Sequence, residues 1–224
     1  MKNNLVVILL LCFVNFSQAQ SVKSNAHCER MTSFGAADLC LPKVVGMKEC
    51  YENEIVKEFA DQTEYETNKV IGYYLMDSTY NAIVDGKEFN MGDYFKIYGT
   101  SKLADYKADA KDLDMMNDIV EKTLEPVNYA EIKKKIDSQL DSIEIGVPML
   151  LEKYSKSNKS KTFVLLVKYS TEDSSYMMVM SLNMLLIKDR IVNLAYYREY
   201  HDEADITAMK ASSDVVVKRV LDEN

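Results

Sequence analysis

The most regular hydrophobic pattern of the chain lies in its last third, where three segments favour β-strands. They run from Phe163 to Tyr169, from Tyr176 to Ile187 and from Ile191 to Tyr197, and short polar turns separate them. All three are rich in β-branched, aromatic and large aliphatic residues, which suit strands. Sequential strands joined by short turns predict an antiparallel meander.

The middle strand of this meander predicts a sheet with one wholly apolar face. Side chains alternate between the two faces of a strand, and the second face here includes Ser181 and Asn183. The apolar face consists of Tyr176, Met178, Met180, Leu182, Met184 and Leu186. After the meander, helical spacing predicts an amphipathic C-terminal helix with the stripe Ile206, Met209, Val216, Val217 and Val220. We expect this stripe to cover the apolar face.

Two amphipathic helices are predicted in the centre of the chain. The first spans about Asp109 to Glu125 and stops at Pro126, because proline cannot continue a helix. The second follows Asn128, which forms a plausible capping box with Glu131. The central third of the chain is therefore predicted to be helical.

The region before these helices favours strands. Lys69 to Leu75 and Tyr94 to Tyr98 are β-branched and aromatic. Tyr80 to Val84 meets Asp85-Gly86, a dipeptide typical of a tight hairpin turn, and is also predicted to be a strand. The spacing of apolar residues between Tyr51 and Ala60 fits a helix or a strand, and we interpret it as a helix.

Together these elements predict an α+β fold, an antiparallel sheet with helices packed on one side and closed by the C-terminal helix. In the order of its elements the last third, from Thr162 through Tyr196-Tyr197 to Asn224, resembles the ending of PsbP-like domains. That superfamily consists of exported α+β domains associated with binding and assembly. The resemblance rests on strand order and assigns no residue a role.

The N-terminus indicates export. Lys2 precedes an apolar run from Leu5 to Val14, and Ser17-Gln18-Ala19 is a small-x-small cleavage pattern. The run is too short for the about 20 residues that a membrane-spanning helix needs. We therefore predict a signal peptide over 1–19, a loosely ordered segment over 20–39 and one domain over 40–224. Lipid attachment at Cys12 is the alternative, but Leu11 stands where such processing wants a small residue.

The net charge of the chain favours some classes of binding partner over others. The net charge of −8 becomes −9 when the leader and its Lys2 are removed. An acidic protein lacks the electrostatic attraction that dominates non-specific nucleic-acid binding, and an anionic membrane surface repels it. We expect a protein or a small molecule as partner, no nucleic acid, and no transmembrane segment in the mature chain.

Three cysteines remain after cleavage at Ala19, and an oxidising compartment would allow one disulfide among them. Cys40 and Cys50 are close in sequence and are separated by the bend-forming Pro42 and Gly46, so we predict that pair. A bond from Cys28 to Cys40 or to Cys50 is the alternative. Sequence spacing alone does not decide the connectivity.

Few residues suggest catalysis, a metal or a cofactor. The chain contains no nucleophile elbow, phosphate-binding glycine loop or zinc-protease helix motif. His27 with Cys28 would need further ligands from elsewhere, and the cluster Met177, Met178 and Met180 alternates between two strand faces. The acidic group Asp109, Asp112 and Asp114 lacks the glycine and the closing glutamate of a calcium loop. We predict neither a cofactor nor a metal.

The aromatic and charged string at the end of the last strand is the candidate binding surface. Tyr and Arg are enriched at binding hot spots, and the candidate residues are Tyr197, Arg198, Tyr200 and His201. Packing at the sheet edge is the alternative, because tyrosine is common in this chain and favours strands. With the leader and the lack of catalytic motifs, this favours a non-catalytic binding or interaction module, secreted or in the cell envelope. The alternatives are a hydrolase that uses paired carboxylates and a structural envelope component.

Overall fold

The computed structural model of the protein describes residues 28–89, 91–170 and 174–224. The predictions for 1–19 and for 20–27 lie outside these residues. The strands are β1 (Cys28–Phe34), β2 (Ala37–Pro42), β3 (Met47–Glu49), β4 (Asn68–Met76), β5 (Tyr94–Thr100), β6 (Glu125–Pro126), β7 (Met149–Ser157), β8 (Ser160–Ser170), β9 (Ser175–Ile187) and β10 (Arg190–Glu199). The helices are α1 (Glu54–Gln62), α2 (Asp77–Val84), α3 (Ala110–Thr123), α4 (Tyr129–Gln139) and α5 (Glu203–Asp222).

One large sheet organises the fold. Eight strands lie in the order β3-β4-β5-β10-β9-β8-β7-β6, and β1 and β2 form a separate hairpin. All neighbours in the sheet are antiparallel except β6 and β7. The α+β class, the meander β8–β10, the two central helices and the C-terminal helix against the sheet are confirmed.

We call the side of the sheet that carries Tyr74, Phe95 and Tyr196 the closed face. Helix α5 lies on it and packs Met209, Val216, Val217 and Val220 against strand residues including Val179, Leu185, Val192 and Leu194. The β1–β2 hairpin adds Phe34, Leu39 and Leu41 to the same cluster. The ring of Phe34 sits over Gly99, where a Cβ atom would lie 2.3 Å from it. Gly99 therefore lets the hairpin approach the sheet.

Helix α5 covers the face opposite to the one that the sequence predicts. The sequence predicts that the helix covers the face of Met178 and Met180, but in the structure it lies over Ser181 and Asn183. Ser213 of α5 is the reason, because a buried polar group needs a partner. The Ser181 hydroxyl donates to Ser213 Oγ at 2.6 Å, and Asn183 Nδ2 donates to the same atom at 3.1 Å. Thr162 completes this network by donating to Asn183 Oδ1 at 2.8 Å.

The other side of the sheet, which carries Tyr73, Tyr94 and Tyr197, we call the open face. Helix α1 packs on it at the β4 end through Val56 and Ala60. Helix α3 packs on it at the β8 end through Leu113, Met116 and Val120, against Phe163, Leu165 and Met184. Helices thus lie on both sides of the sheet, which corrects the prediction that they share one side.

The segment Tyr80 to Val84 is helical, so its prediction as a strand was wrong. Asp85-Gly86 ends helix α2 instead of turning a hairpin. Gly86 has φ +64° and donates its N–H to the Ile83 carbonyl, while the Lys87 N–H bonds to the Ala82 carbonyl. This is a Schellman motif, which needs the same left-handed glycine as a type I′ turn. Asp85-Gly86 is therefore compatible with a helix C-terminus as well as with a hairpin turn.

The disulfide joins Cys28 to Cys40, with the Cα atoms 5.5 Å apart, so the predicted Cys40–Cys50 pair was wrong. The β1–β2 hairpin brings the first two cysteines together: Met31 pairs with Cys40, Cys28 pairs with Pro42, and the register shifts between Cys28 and Arg30. Residues 28–39, predicted to be loosely ordered, belong to this hairpin. Cys50 lies elsewhere, buried against α1, and its thiol donates to the Tyr73 carbonyl at 3.2 Å.

Among the helices that the structure describes, none is long and apolar enough to cross a membrane.

Candidate functional site

Three pairs of adjacent aromatic residues place a row of tyrosines on the open face. They are Tyr73-Tyr74 in β4, Tyr94-Phe95 in β5 and Tyr196-Tyr197 in β10. Successive residues of a strand point to opposite faces, so each pair contributes one ring to each side. Strand β5 lies between the other two, and Tyr94 pairs directly with Tyr197. The sheet thus carries one aromatic row per face.

The open-face row, Tyr73–Tyr94–Tyr197, is a stacked ladder. The ring centroids of Tyr73 and Tyr94 are 5.9 Å apart, and those of Tyr94 and Tyr197 are 4.6 Å apart with an interplanar angle of 8°. Tyr169 and Tyr176 form a further stacked pair at the far end of β8 and β9, with centroids 6.0 Å apart. Cross-strand pairing thus lines up five tyrosines on one surface.

This ladder forms the floor of a cleft, because α1 and α3 cover only the two ends of the open face. The cleft has a volume of about 760 Å³, within the range of about 300–1,000 Å³ typical of small-molecule sites. We call it the tyrosine cleft. Its described lining residues are Phe59, Thr63, Tyr73, Phe89, Met91, Gly92, Tyr94, Lys96, Tyr169, Ser174, Tyr176, Met178, Tyr197 and Glu199.

The tyrosines of the floor stay neutral at physiological pH. Burial raises the pKa of Tyr73, Tyr94 and Tyr197 above that of a free phenol, because an apolar environment disfavours the phenolate. No other described residue hydrogen-bonds the hydroxyls of Tyr94 and Tyr197. These tyrosines therefore offer a ligand neutral ring edges and hydroxyl groups that can donate or accept a hydrogen bond.

The charges around the cleft are mostly compensated within the protein. The Lys96 ammonium lies 2.7 Å from Glu64 Oε2, and both side chains are largely buried. The same ammonium lies 5.3 Å from the ring centroid of Tyr98. At the rim, Glu199 Oε1 lies 3.6 Å from His201 Nε2. Among the described lining residues Glu199 supplies the one carboxylate, so they do not present the convergent carboxylate pair of a glycosidase-type hydrolase.

The four residues predicted as a binding surface are divided between different surroundings. Tyr197 lies in the floor of the cleft. Arg198 points to the other face and donates from Nε and Nη2 to Asp93, at 2.8 and 2.5 Å. Tyr200 belongs to the closed-face core, with its hydroxyl 3.0 Å from that of Tyr129. His201 is exposed at the start of α5. The structure therefore brings only Tyr197 of this set into the cleft.

Several described residues that sequence reasoning rejected as metal ligands have structural roles, whereas His27 lies outside the described residues. Asp109 caps helix α3 by accepting from the backbone N–H groups of Lys111 and Asp112. Met177 and Met178 lie in clusters on opposite faces of the sheet, as their spacing predicts. In the ranges 28–89, 91–170 and 174–224, no group of three or more histidine, cysteine or acidic residues is placed to bind a metal ion.

Sequence reasoning missed most of the cleft. Tyr73, Tyr94, Tyr169 and Tyr176 each look like an ordinary strand residue, because tyrosine favours strands and occurs 15 times in the chain. The available signal was the repeated aromatic pair at Tyr73-Tyr74, Tyr94-Phe95 and Tyr196-Tyr197. Alternation assigns one ring of each pair to each face, but only the strand order shows that the three strands are neighbours.

Comparison with known proteins adds little to this description. No protein-family model matches the sequence, and no curated protein matches it. The chain has a low structural similarity to a crystal structure of Mog1p, a Ran-binding protein of Saccharomyces cerevisiae. The TM-score is 0.37 and the identity 9%, over 83% of this chain and 87% of that chain. A likeness at this level supports no inference about function.

Proposed function

We propose that this protein is an exported, non-catalytic binding module whose ligand lies in the tyrosine cleft. The observation that carries the proposal is the ladder of Tyr73, Tyr94 and Tyr197, which forms the floor of a cleft between α1 and α3. Stacked neutral rings with hydroxyl groups recognise a ligand by ring contacts and hydrogen bonds. They supply no group that is poised for proton transfer near neutral pH.

Two further observations support export and binding. The Cys28–Cys40 disulfide suits an oxidising compartment, in agreement with the leader pattern of residues 1–19. The resemblance of the last third of the sequence to PsbP-like domains agrees with a binding role. Because Glu199, the single carboxylate among the described lining residues, lies at the rim, the cleft favours binding over a hydrolase that uses paired carboxylates.

Methionine-methyl NMR tests the site directly, since Met91 and Met178 line the cleft. Met115 serves as an internal control, because it is 56% exposed on α3. The probe is phenyl β-D-glucoside, which combines a planar ring with hydroxyl groups. We expect saturable shifts of the Met91 and Met178 methyl signals and no shift of the Met115 signal. Equal shifts of all three, or none, would contradict the proposal.

A matched pair of tyrosine variants sharpens this test. Tyr176→Leu removes a half-buried ring at the cleft and should weaken binding of the probe about fivefold, since an aromatic ring contact is worth about 0.5–1.5 kcal/mol. Tyr106→Leu makes the same change at an exposed position outside the cleft and should leave the affinity within twofold. An equal effect of both variants would show that the probe binds elsewhere.

A further inference from the structure

A second cavity continues the tyrosine cleft towards helices α1 and α2. It has a volume of about 200 Å³ and shares Phe59, Tyr73, Phe89 and Met91 with the cleft. Its remaining lining residues are Ile55, Val56, Leu75 and Ile83. We call it the apolar pocket. The two volumes therefore adjoin each other along these four shared side chains.

The chemistry of the apolar pocket selects a hydrocarbon group. Seven of its eight described lining side chains are hydrocarbon or thioether, and the eighth is Tyr73, whose ring is buried. A charged or strongly polar group placed here would lose its hydration without gaining a partner. A hydrocarbon group instead removes apolar surface from water, including that of Ile55, Phe59 and Phe89, which are exposed.

The chemistry of the adjoining cleft selects an uncharged, hydroxylated group. The hydroxyls of Tyr94 and Tyr197 are available for hydrogen bonds, and the edges of the stacked rings offer apolar contacts to the C–H groups of a sugar or polyol. An anionic group finds no uncompensated cation in the described lining, since Lys96 is paired with Glu64. It would also meet the carboxylate of Glu199 and the net charge of −8.

We infer that the ligand is an amphiphile, with a single hydrocarbon chain in the apolar pocket and an uncharged hydroxylated head on the tyrosine ladder. This inference rests on the proposed function and adds the class of ligand to it. The size of the site agrees, because the cleft and the pocket together match a small molecule and not an extended macromolecular surface.

The test compares two probes that share a head group, n-octyl β-D-glucoside below its micelle concentration and methyl β-D-glucoside. Met91 reports on both volumes and Met178 on the cleft alone. We expect octyl glucoside to shift both methyl signals and to bind at least tenfold more tightly than methyl glucoside. The anionic n-octyl sulfate should bind at least fivefold more weakly than octyl glucoside.

Two isoleucines provide a matched pair of variants for the same titrations. Ile55 lines the pocket and is 61% exposed on α1, whereas Ile119 is 56% exposed on α3 and lines neither volume. Ile55→Lys should lower the affinity for octyl glucoside at least tenfold and leave that for methyl glucoside within twofold. Ile119→Lys should change neither. Ile55→Trp, which fills the pocket without adding charge, should reproduce the loss.

The outcomes separate this inference from the proposed function. If octyl and methyl glucoside bind equally, or if Ile55→Lys and Ile55→Trp have no effect, the apolar pocket is not an anchor. Binding of phenyl β-D-glucoside would then still support the proposed binding site in the tyrosine cleft. If octyl sulfate binds as tightly as octyl glucoside, the uncharged head is wrong. If none of the glucosides shifts Met91 or Met178, both proposals fail.

Discussion

The two faces of the central sheet start from the same three aromatic pairs and end with different roles. On the closed face, Tyr74 and Phe95 stack at 4.1 Å, and Phe95 and Tyr196 lie 5.8 Å apart. On the open face, Tyr73, Tyr94 and Tyr197 form the ladder of the cleft. The strands, the spacing and the residue types are nearly identical. What differs is the element that lies on top.

Hydroxyl partners show the same contrast. On the closed face the Tyr74 hydroxyl donates to the Pro42 carbonyl at 2.9 Å, and the Tyr196 hydroxyl donates to Asp93 at 2.9 Å. In the described part of the open face the hydroxyls of Tyr94 and Tyr197 have no such partner. Aromatic rows therefore serve the core where their polar atoms are satisfied internally, and suit recognition where they are not.

Removing the cover of the closed face should have the largest effect. Truncation after Tyr200 deletes α5, including Met209, Val216, Val217 and Val220. Each large side chain contributes about 1.5–3 kcal/mol when buried, against a net stability of about 5–15 kcal/mol for a domain. We expect loss of cooperative thermal unfolding by near-ultraviolet circular dichroism. A cooperative transition at an unchanged midpoint would show that α5 is peripheral and that the two faces do not differ.

Alkaline pH should lower the free energy of unfolding through the ionisation of tyrosines on both faces. Burial raises the folded-state pKa of Tyr74 and Tyr196 as well as that of Tyr94 and Tyr197. Their contribution is present below the unfolded pKa of about 10 and is lost as pH rises through the folded pKa, by up to about 1.4 kcal/mol per pH unit for each tyrosine. Urea unfolding at pH 9, 10 and 11 measures the loss.

Tyrosine ring NMR over the same pH range assigns the titration to the faces. We expect the signals of Tyr94 and Tyr197 to remain those of the neutral phenol at pH 10.5, as for Tyr74. Ionisation of Tyr94 and Tyr197 near pH 10 would mean that water solvates the cleft floor. The two faces would then differ in the solvation of their tyrosine rings as well as in their hydroxyl partners.

A substitution within the buried polar network of the closed face should lower the free energy of unfolding more than the same substitution of a similar residue outside the network. Asn183→Leu removes the acceptor of the Thr162 hydroxyl and a donor to Ser213, which leaves buried polar groups unsatisfied. We expect the free energy of unfolding to fall by about 2 kcal/mol. Probe binding in the cleft should persist, because the network lies on the opposite face.

Asn193→Leu is the control for this variant, since Asn193 is half-buried on the neighbouring strand β10. We expect its free energy of unfolding to stay within about 0.5 kcal/mol of the parent value. Denaturant unfolding compares the two. Equal losses would mean that the network adds nothing specific to the closed face.

The smallest expected effect concerns the cysteines, and it is measured through the reactivity of the Cys50 thiol. Cys28–Cys40 staples the hairpin of the closed face, whereas Cys50 is a 4% exposed thiol in the cluster under α1. Burial raises the pKa of the Cys50 thiol to about 12. The thiolate is the reactive form, so iodoacetamide at pH 8 should modify Cys50 only after denaturation.

Peptide mapping distinguishes the possible disulfides, because trypsin separates all three cysteines. Cleavage after Lys and Arg places them in the peptides 24–30, 31–43 and 49–57. We expect an unreduced digest to link 24–30 with 31–43. A link between 31–43 and 49–57 would restore the Cys40–Cys50 pair and would contradict the hairpin register.

The sequence predicted individual elements best where apolar periodicity was long. The meander β8–β10, helix α3 after Asp109 and the stripe of α5 all followed from spacing. Predictions failed where one local signal fits two structures. Asp85-Gly86 suits a hairpin or a helix end, and three cysteines allow three pairs, of which the hairpin register selects one. Tyr197 was among the predicted binding residues, but nothing in the sequence connected it with Tyr73 or Tyr94.

The sequence by itself determined the α+β class, the period of each long element and the division of each aromatic pair between two faces, because these depend on neighbours along the chain. Only the tertiary structure decided which face became core. Ser213 directs α5 to the side of Ser181 and Asn183, since buried hydroxyl and amide groups need partners. Helices α1 and α3 then meet the opposite side only at its ends, and the tyrosines between them form the cleft.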